Sequence, residues 1–410
     1  MKNKKKDAVA IQTRKADNKE LDGRFLEHIT IIGKALVGEE KFSMIPLTVL
    51  EQITKSRAPR LKAKAAYGSD ILSSTVKQYN KLFYEFIKEH SIETPYNSEI
   101  SVDYYLSEGI VLLNCISVLP DKAFHNASLV KEAFQQYLPG SDHHTWMVEF
   151  LETIIMDAIA FLSELDKHIV HADKTDTAWI NPYTVSNTIF LKRFSPEKTK
   201  IVIDNANRTI IRLGWILATE EWAYNSISPA KLGYEGESAD VPLPIYIQQH
   251  SIDKLQKRID ITPGIMHFGV VHSFDESISY LKTATHVLVP YFLSEQKVGY
   301  LLCKWFDNRI LIHTFLFLTN DGTPEGKMLK KLCLLEKADK EYLRIDTMPH
   351  FNSYHFDKDE RLSALFTAAG CGSLLKIGHL EEYSKKSIAN KDPESILKYL
   401  SDFIILQKRR

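Results

Sequence analysis

The spacing of apolar residues changes character near Asp173, and that change limits the possible folds more than any other feature. Before it, apolar side chains recur three and four positions apart. Val76, Tyr79, Leu82, Phe83 and Phe86 lie on one side of a helix drawn over 75–90, and 103–119 continues in that manner. Met147 to Val170 reads as one long helix, apolar almost all round, with Glu149, Glu152, Asp157 and Glu164 at its rim. After Asp173, β-branched runs take over. Lys200-Ile-Val-Ile-Asp204 and Thr209-Ile-Ile-Arg-Leu-Gly214 flank the turn residues Asn205-Ala-Asn-Arg208, which is the pattern of a hairpin. Helices first and strands later place the chain in the α+β class.

Five segments follow from the breaks. Residues 1–20 are polar and basic and read as a flexible tail. Residues 21–172 read as a helical domain, interrupted at Pro95, Pro120 and Pro139-Gly140. Residues 173–240 form a hairpin-bearing connector, with a helix over Thr219–Ser226 and a linker after it. Residues 241–345 are expected to be a small antiparallel-sheet module of order βααβββ. Its strands fall at Pro244–Gln248, His286–Leu293, Val298–Phe306 and Ile310–Thr319. Its helices fall at His250–Ile259 and at Asp275–Ala284, the second capped by Ser273. A further helix starts near Pro324 and runs to about Lys340. Residues 346–410 read as a helical C-terminal segment, broken at Gly370–Gly372 and Pro393.

Composition narrows the classes. The chain has 52 Lys+Arg against 52 Asp+Glu, 44% hydrophobic and 25% charged residues, which excludes collagen-like and fully disordered chains. The neutrality is a cancellation: residues 1–64 hold fifteen Lys/Arg and eight acids, so the remainder carries −7. Cys115, Cys303, Cys333 and Cys371 make no CxxC pair and read as reduced thiols, which with the absence of an apolar stretch after Lys2–Lys6 points to the cytoplasm. Acids within 147–165 rule that segment out as a membrane span, so no membrane partner is expected. No GxGxxG, GxxxxGK[ST] or GxSxG occurs, and no cofactor is expected.

One stretch carries chemistry. In IYIQQHSIDKLQKRID, His250, Lys254 and Arg258 are four positions apart and advance about 40° per step on a helix, forming one stripe. The expected βααβββ order, with a histidine opening the first helix, resembles the RelE-like and barnase-like ribonuclease toxin fold over residues 242–323. Many members of that group carry His-x3-Arg-x3-Arg at this helix; here Lys254 replaces the first Arg, which removes bidentate phosphate geometry. The resemblance implies metal-independent RNA cleavage. His250 would move a proton, Lys254 and Arg258 would hold phosphate, and Thr314 and Thr319 would lie on the last strand. The amphipathic alternative is a solvated face opposite Ile252, Leu255 and Ile259. The module from 241 to 323 has seven Lys/Arg and seven acids, whereas an RNA-cleaving domain is usually basic.

Two further groupings stand out. His143, His144, His168 and His171, with Asp166 and Asp173, have ligand chemistry but no HExxH spacing, and no metal is expected. Lys55, Arg57, Arg60, Lys62 and Lys64 form a ten-residue window without an acid, read as a solvated surface. His350 and His355 are read as a loop. Two functions are carried forward. One is an RNA-cleaving toxin or defence-type effector whose helical domain binds a protein partner. The other is a non-catalytic protein-interaction protein.

Overall fold

The computed structural model describes residues 2–96, 98–274, 279–383 and 388–407, in an α+β architecture. The chain divides into two compact units, one of residues 1–159 and 171–193, the other of 160–170 and 194–410. The division departs from the expected boundary at 172 because the long helix is Asp142–Leu162 and ends eight residues before Val170. There the buried Val170 backbone N–H donates to Ser163 Oγ at 3.0 Å, and Ile169–Asp173 is a strand.

The first unit is mainly helical. Its longer helices are Lys2–Val37, Leu47–Lys55, Ser73–Lys88, Ile110–Ser117, Ala127–Phe134 and all but the last turn of Asp142–Leu162. The first takes in residues 2–20 of the segment read from sequence as a tail. Ile29, Leu36, Tyr79, Phe83, Leu112 and Phe134 are buried here, each contributing about 1.5–3 kcal/mol of apolar transfer. The strand Lys62–Ala65 pairs within this unit with residues 188–191. Lys62 pairs in parallel with Thr188, which draws residues 171–193 into this unit rather than into a connector.

The second unit is built on one large sheet. Its strands are β1 (Lys198–Ile203), β2 (Ala206–Arg212), β3 (Leu243–Gln248), β4 (Leu281–Lys282), β5 (Val287–Leu293), β6 (Gln296–Phe306) and β7 (Arg309–Phe317), in the spatial order β4-β5-β6-β7-β3-β2-β1. The short strand Ser226–Ile227 also pairs with β3. The hairpin read as part of a connector is therefore half of the sheet's far edge. Its turn is Asp204-Asn205, both left-handed at φ 49 and 58, rather than the four residues after Asp204. The sheet is mixed, because β3 runs parallel to β7, with Ile245 beside Ile310 and Ile247 beside Ile312.

Among the described residues, two expected helices are not found in their places. Thr219–Ser226 contains the strand Trp222–Tyr224, paired with Gly214–Ile216; Trp222 and Tyr224 stack at 5.4 Å between centroids. Aromatic residues favour such a pleated surface over a helix. In the other case, residues 275–278 lie outside the described residues, and Leu281–Lys282 is β4. The second helix comes earlier. After α1 (Gln249–Ile259), α2 is Pro263–His272, and Ser273 closes it instead of opening a helix. Its two glycines mark close backbone approaches, so a helix with weak propensity forms because packing favours it.

The C-terminal part supplies α3 (Pro324–Cys333), α4 (Lys337–Leu343), α5 (Met348–Ser353), α6 (Glu360–Ala368) and α7 (Glu394–Gln407). The single helix expected from Pro324 breaks at Leu334, whose φ is 61. Lys340, only 1% exposed, anchors α4 by donating to Asp321 and to the Gly326 carbonyl. A buried cation without such partners would cost several kcal/mol.

Candidate functional site

Helix α1 forms because Ile252, Leu255 and Ile259 share one face and bury it against the sheet with Ile247, Ile312 and Phe315. Asp260 ends it in a left-handed conformation, φ 52. Burying the apolar face turns Lys254, Lys257 and Arg258 toward α4 and α5. Between these elements lies a cleft of about 600 Å³. From α1 it is lined by Lys254, Lys257, Arg258 and Asp260, and from the α4–α5 region by Glu341, Arg344, Asp346, Thr347 and His350.

Arg344 caps the end of α4 in a left-handed conformation, φ 58, and lines the cleft. Its Nη1 donates to His350 Nε2 at 3.1 Å. On the other side of the ring, His350 Nδ1 and Thr347 Oγ1 are 3.0 Å apart, and Thr347 Oγ1 donates to the Arg344 carbonyl at 3.3 Å. This pattern assigns the imidazole proton to Nδ1 and makes Nε2 an acceptor. Burial lowers the His350 pKa, and Lys391 and Arg344 add to that, against opposing pulls from Asp346 and Asp260. The neutral imidazole is favoured.

Across the cleft, Arg258 Nη1 donates to the Phe315 carbonyl. Burial lowers its pKa, opposed by Asp346 and Glu341. Burial in turn raises the Asp346 carboxyl, although Arg258 pulls it down. Four cations thus meet three carboxylates around one cavity, with a neutral histidine at its wall. Such a lining can hold a charged oxyanion and exchange a proton with it.

The structure divides the residues singled out from sequence. Lys254 and Arg258 share the cleft. His250 is exposed at the start of α1 and does not line it. Thr314 is on β7 beside Phe315, but adjacent strand residues point to opposite faces, and Phe315 faces α1, so Thr314 faces away. Thr319 is buried and donates to the Ile345 carbonyl at 2.8 Å, a packing role. The histidine that joins Lys254 and Arg258 is His350, which lies on helix α5 and not in a loop. Pro349 at the first turn was the sequence signal for that helix.

The other groupings resolve as follows. Among the described residues, no group of three His, Cys, Asp or Glu side chains could hold a metal ion, so the four histidines with Asp166 and Asp173 do not assemble one. His143 packs against the rings of Tyr137 and Trp146, at 5.0 and 5.8 Å. In the basic window, Arg57 pairs with Asp22 at 2.9 Å and Arg60 with Asp103 at 2.6 Å, leaving Lys62 and Lys64 exposed along a strand. No described helix is long and apolar enough to cross a membrane. No family model matches the chain, and neither a curated protein nor a solved structure matches it. The site is therefore read from its own residues.

Proposed function

We propose that the second unit binds and cleaves a phosphodiester, with RNA as the substrate class. The observation that carries this reading is the convergence of Lys254, Lys257, Arg258 and Arg344 on one cleft beside His350. RNA cleavage needs cations where charge grows on the phosphorus and a base for the 2′-hydroxyl proton. A guanidinium suits the first need through paired hydrogen bonds to phosphate oxygens. The imidazole suits the second, since it is neutral and its Nε2 is held by Arg344. A phosphate entering the cleft draws Arg344 from Nε2, which then accepts the 2′-OH proton. The 2′-oxygen bonds to phosphorus as the P–O5′ bond breaks, and the leaving oxygen takes a proton from solvent. The products are a 2′,3′-cyclic phosphate and a 5′-hydroxyl end.

The test is a labelled oligoribonucleotide incubated with the purified chain in chelator. Wild type is expected to cut it, and Arg344→Ala and His350→Ala to be slower by about 100-fold or more. His250→Ala is expected to match wild type. Inactive wild-type protein that is folded overturns the reading and leaves the non-catalytic interaction protein. Loss of activity in His250→Ala alone would return the proton-transfer role to that residue.

A further inference from the structure

The face of the sheet turned away from α1 is a second charged surface in this unit. Successive side chains on a strand alternate, so register assigns each residue to a face. Ile211, Ile247 and Ile312 are neighbours across β2, β3 and β7 and belong to the core beneath α1. Arg208, Tyr246 and Leu311 on those strands therefore point the other way, as do Lys304 and Phe306 on β6. Cys303 pairs with Ile312 while Leu302 pairs with Thr314, so His313 is the extra residue of a bulge. The bulge puts His313 on the outer face too, where its Nδ1 meets Gln248 Nε2 at 2.9 Å.

This face combines an apolar floor with cations. Ile203, Ile210 and Leu311 are buried, with Tyr246 and Phe306 at their border. Arg208 is exposed, and Lys304, Arg309, Tyr246 and Phe306 are half-exposed. The Arg309 guanidinium stands 5.4 Å from the Tyr246 ring centroid. Of the nearby acids, Glu197 is occupied by Arg212 at 3.0 Å and by the Tyr246 hydroxyl at 3.2 Å. Asp204 and Asp307 are exposed in the two hairpin turns, β1–β2 and β6–β7, that flank the face. The potential registers on two histidines. After burial, Lys304 lowers the pKa of both His313 and His286, with His250 and Arg208 adding to the first against Asp204, and Lys327 to the second.

We infer that this face docks single-stranded RNA, with phosphates passing Arg208, Lys304 and Arg309 and bases stacking on Tyr246 and Phe306. From β2 to β6 is three strand spacings, about 14 Å, wide enough for more than one nucleotide. Charge complementarity selects a polyanion, and half-exposed rings select one whose bases are free to stack. A duplex keeps its bases paired and offers only its backbone. The cleft lies on the α1 side of the sheet, so this surface is independent of the cleavage reading.

The experiment is fluorescence anisotropy of a labelled twelve-nucleotide oligouridylate with the full chain over a series of salt concentrations. Wild type is expected to bind it, and to prefer it to a duplex of equal length. Arg208→Gln with Lys304→Gln is expected to bind about tenfold more weakly and to flatten the log–log salt slope by about 1.4, for two lost phosphate contacts. Phe306→Leu, which keeps an apolar side chain, is expected to weaken binding at unchanged salt slope. Lys62→Gln with Lys64→Gln is expected to change nothing. No binding by wild type, equal affinity and slope in the double variant, or preference for the duplex overturns the inference. Turnover of a dinucleoside monophosphate, which occupies the cleft alone, reads the other proposal separately. Turnover without oligomer binding removes only the sheet-face inference, and binding without turnover removes only the cleft reading.

Discussion

Arg344 and His350 hold each other through a hydrogen bond that exists only while the imidazole is neutral. Because burial, Lys391 and Arg344 lower the His350 pKa, that neutral form persists below the ordinary value of 6.5. Cleavage is therefore expected to rise with pH through an acid limb centred below 6.5 and then to level. Lys391→Gln, which removes one of the lowering charges, is expected to shift the limb upward; an unmoved limb in a pH–rate profile contradicts the assignment. His267 is a separate case. It is 1% exposed, and burial pushes its pKa down to about 3, against weaker help from the Gly214 backbone. A depressed folded-state pKa means stability present above 6.5 and lost as pH falls toward 3, at up to about 1.4 kcal/mol per pH unit. Urea unfolding at pH 7, 5 and 4 is expected to show a smaller acid loss for His267→Leu than for wild type. Lys254 and Arg258 were legible in sequence because their four-residue spacing sets them on one side of α1. His350 was not, since it meets them only after some ninety residues of intervening chain have folded.

Local elements were legible where side-chain chemistry and packing agree. The strands of the β1–β2 hairpin follow from their β-branched runs, and the paired left-handed Asp204-Asn205 is a type I′ turn. Asn205→Gly relieves the left-handed cost at that position and is expected to stabilise the chain by about 0.5 kcal/mol in chemical denaturation. A loss of stability there would mean the Asn205 side chain matters to the turn. Helix α2 was not legible, because it carries two glycines in ten residues and weak helix propensity. A Cβ on Gly264 would lie 2.3 Å from the Ala160 carbonyl oxygen and 2.7 Å from its Cα, so the glycine lets two backbones touch. Gly264→Ala is expected to cost about 2–3 kcal/mol in a urea midpoint, since backbone cannot step aside as a flexible side chain can. An Ala variant of wild-type stability would mean that this approach is looser than drawn. The stretch Thr219–Ser226 misled for the opposite reason: its acids favour a helix, but Trp222 and Tyr224 gain more as a stacked pair on a strand.

At the scale of the molecule, the change of texture near Asp173 foretold an α+β chain, though not how the chain would be divided. Residues 62–65 pair with 188–191 across more than a hundred residues, a contact without local signature, and that pairing places 171–193 in the first unit. The hairpin at 198–212 joins the main sheet for the same kind of reason: the edge of β2 pairs with β3, more than thirty residues further along the chain. The neutral charge balance also looks different once folded. Within the second unit, cations gather in two places, the α1 cleft and the outer face of the sheet, and each has an expected anionic occupant. The cleft is the central claim, and one measurement reaches it most directly: turnover of a dinucleoside monophosphate by wild type, His350→Ala and His250→Ala at pH 7 in chelator. The account predicts a 2′,3′-cyclic phosphate product, wild-type rate in His250→Ala, and a rate about 100-fold lower in His350→Ala. Equal rates in wild type and His350→Ala, or no product from folded wild type, would contradict it.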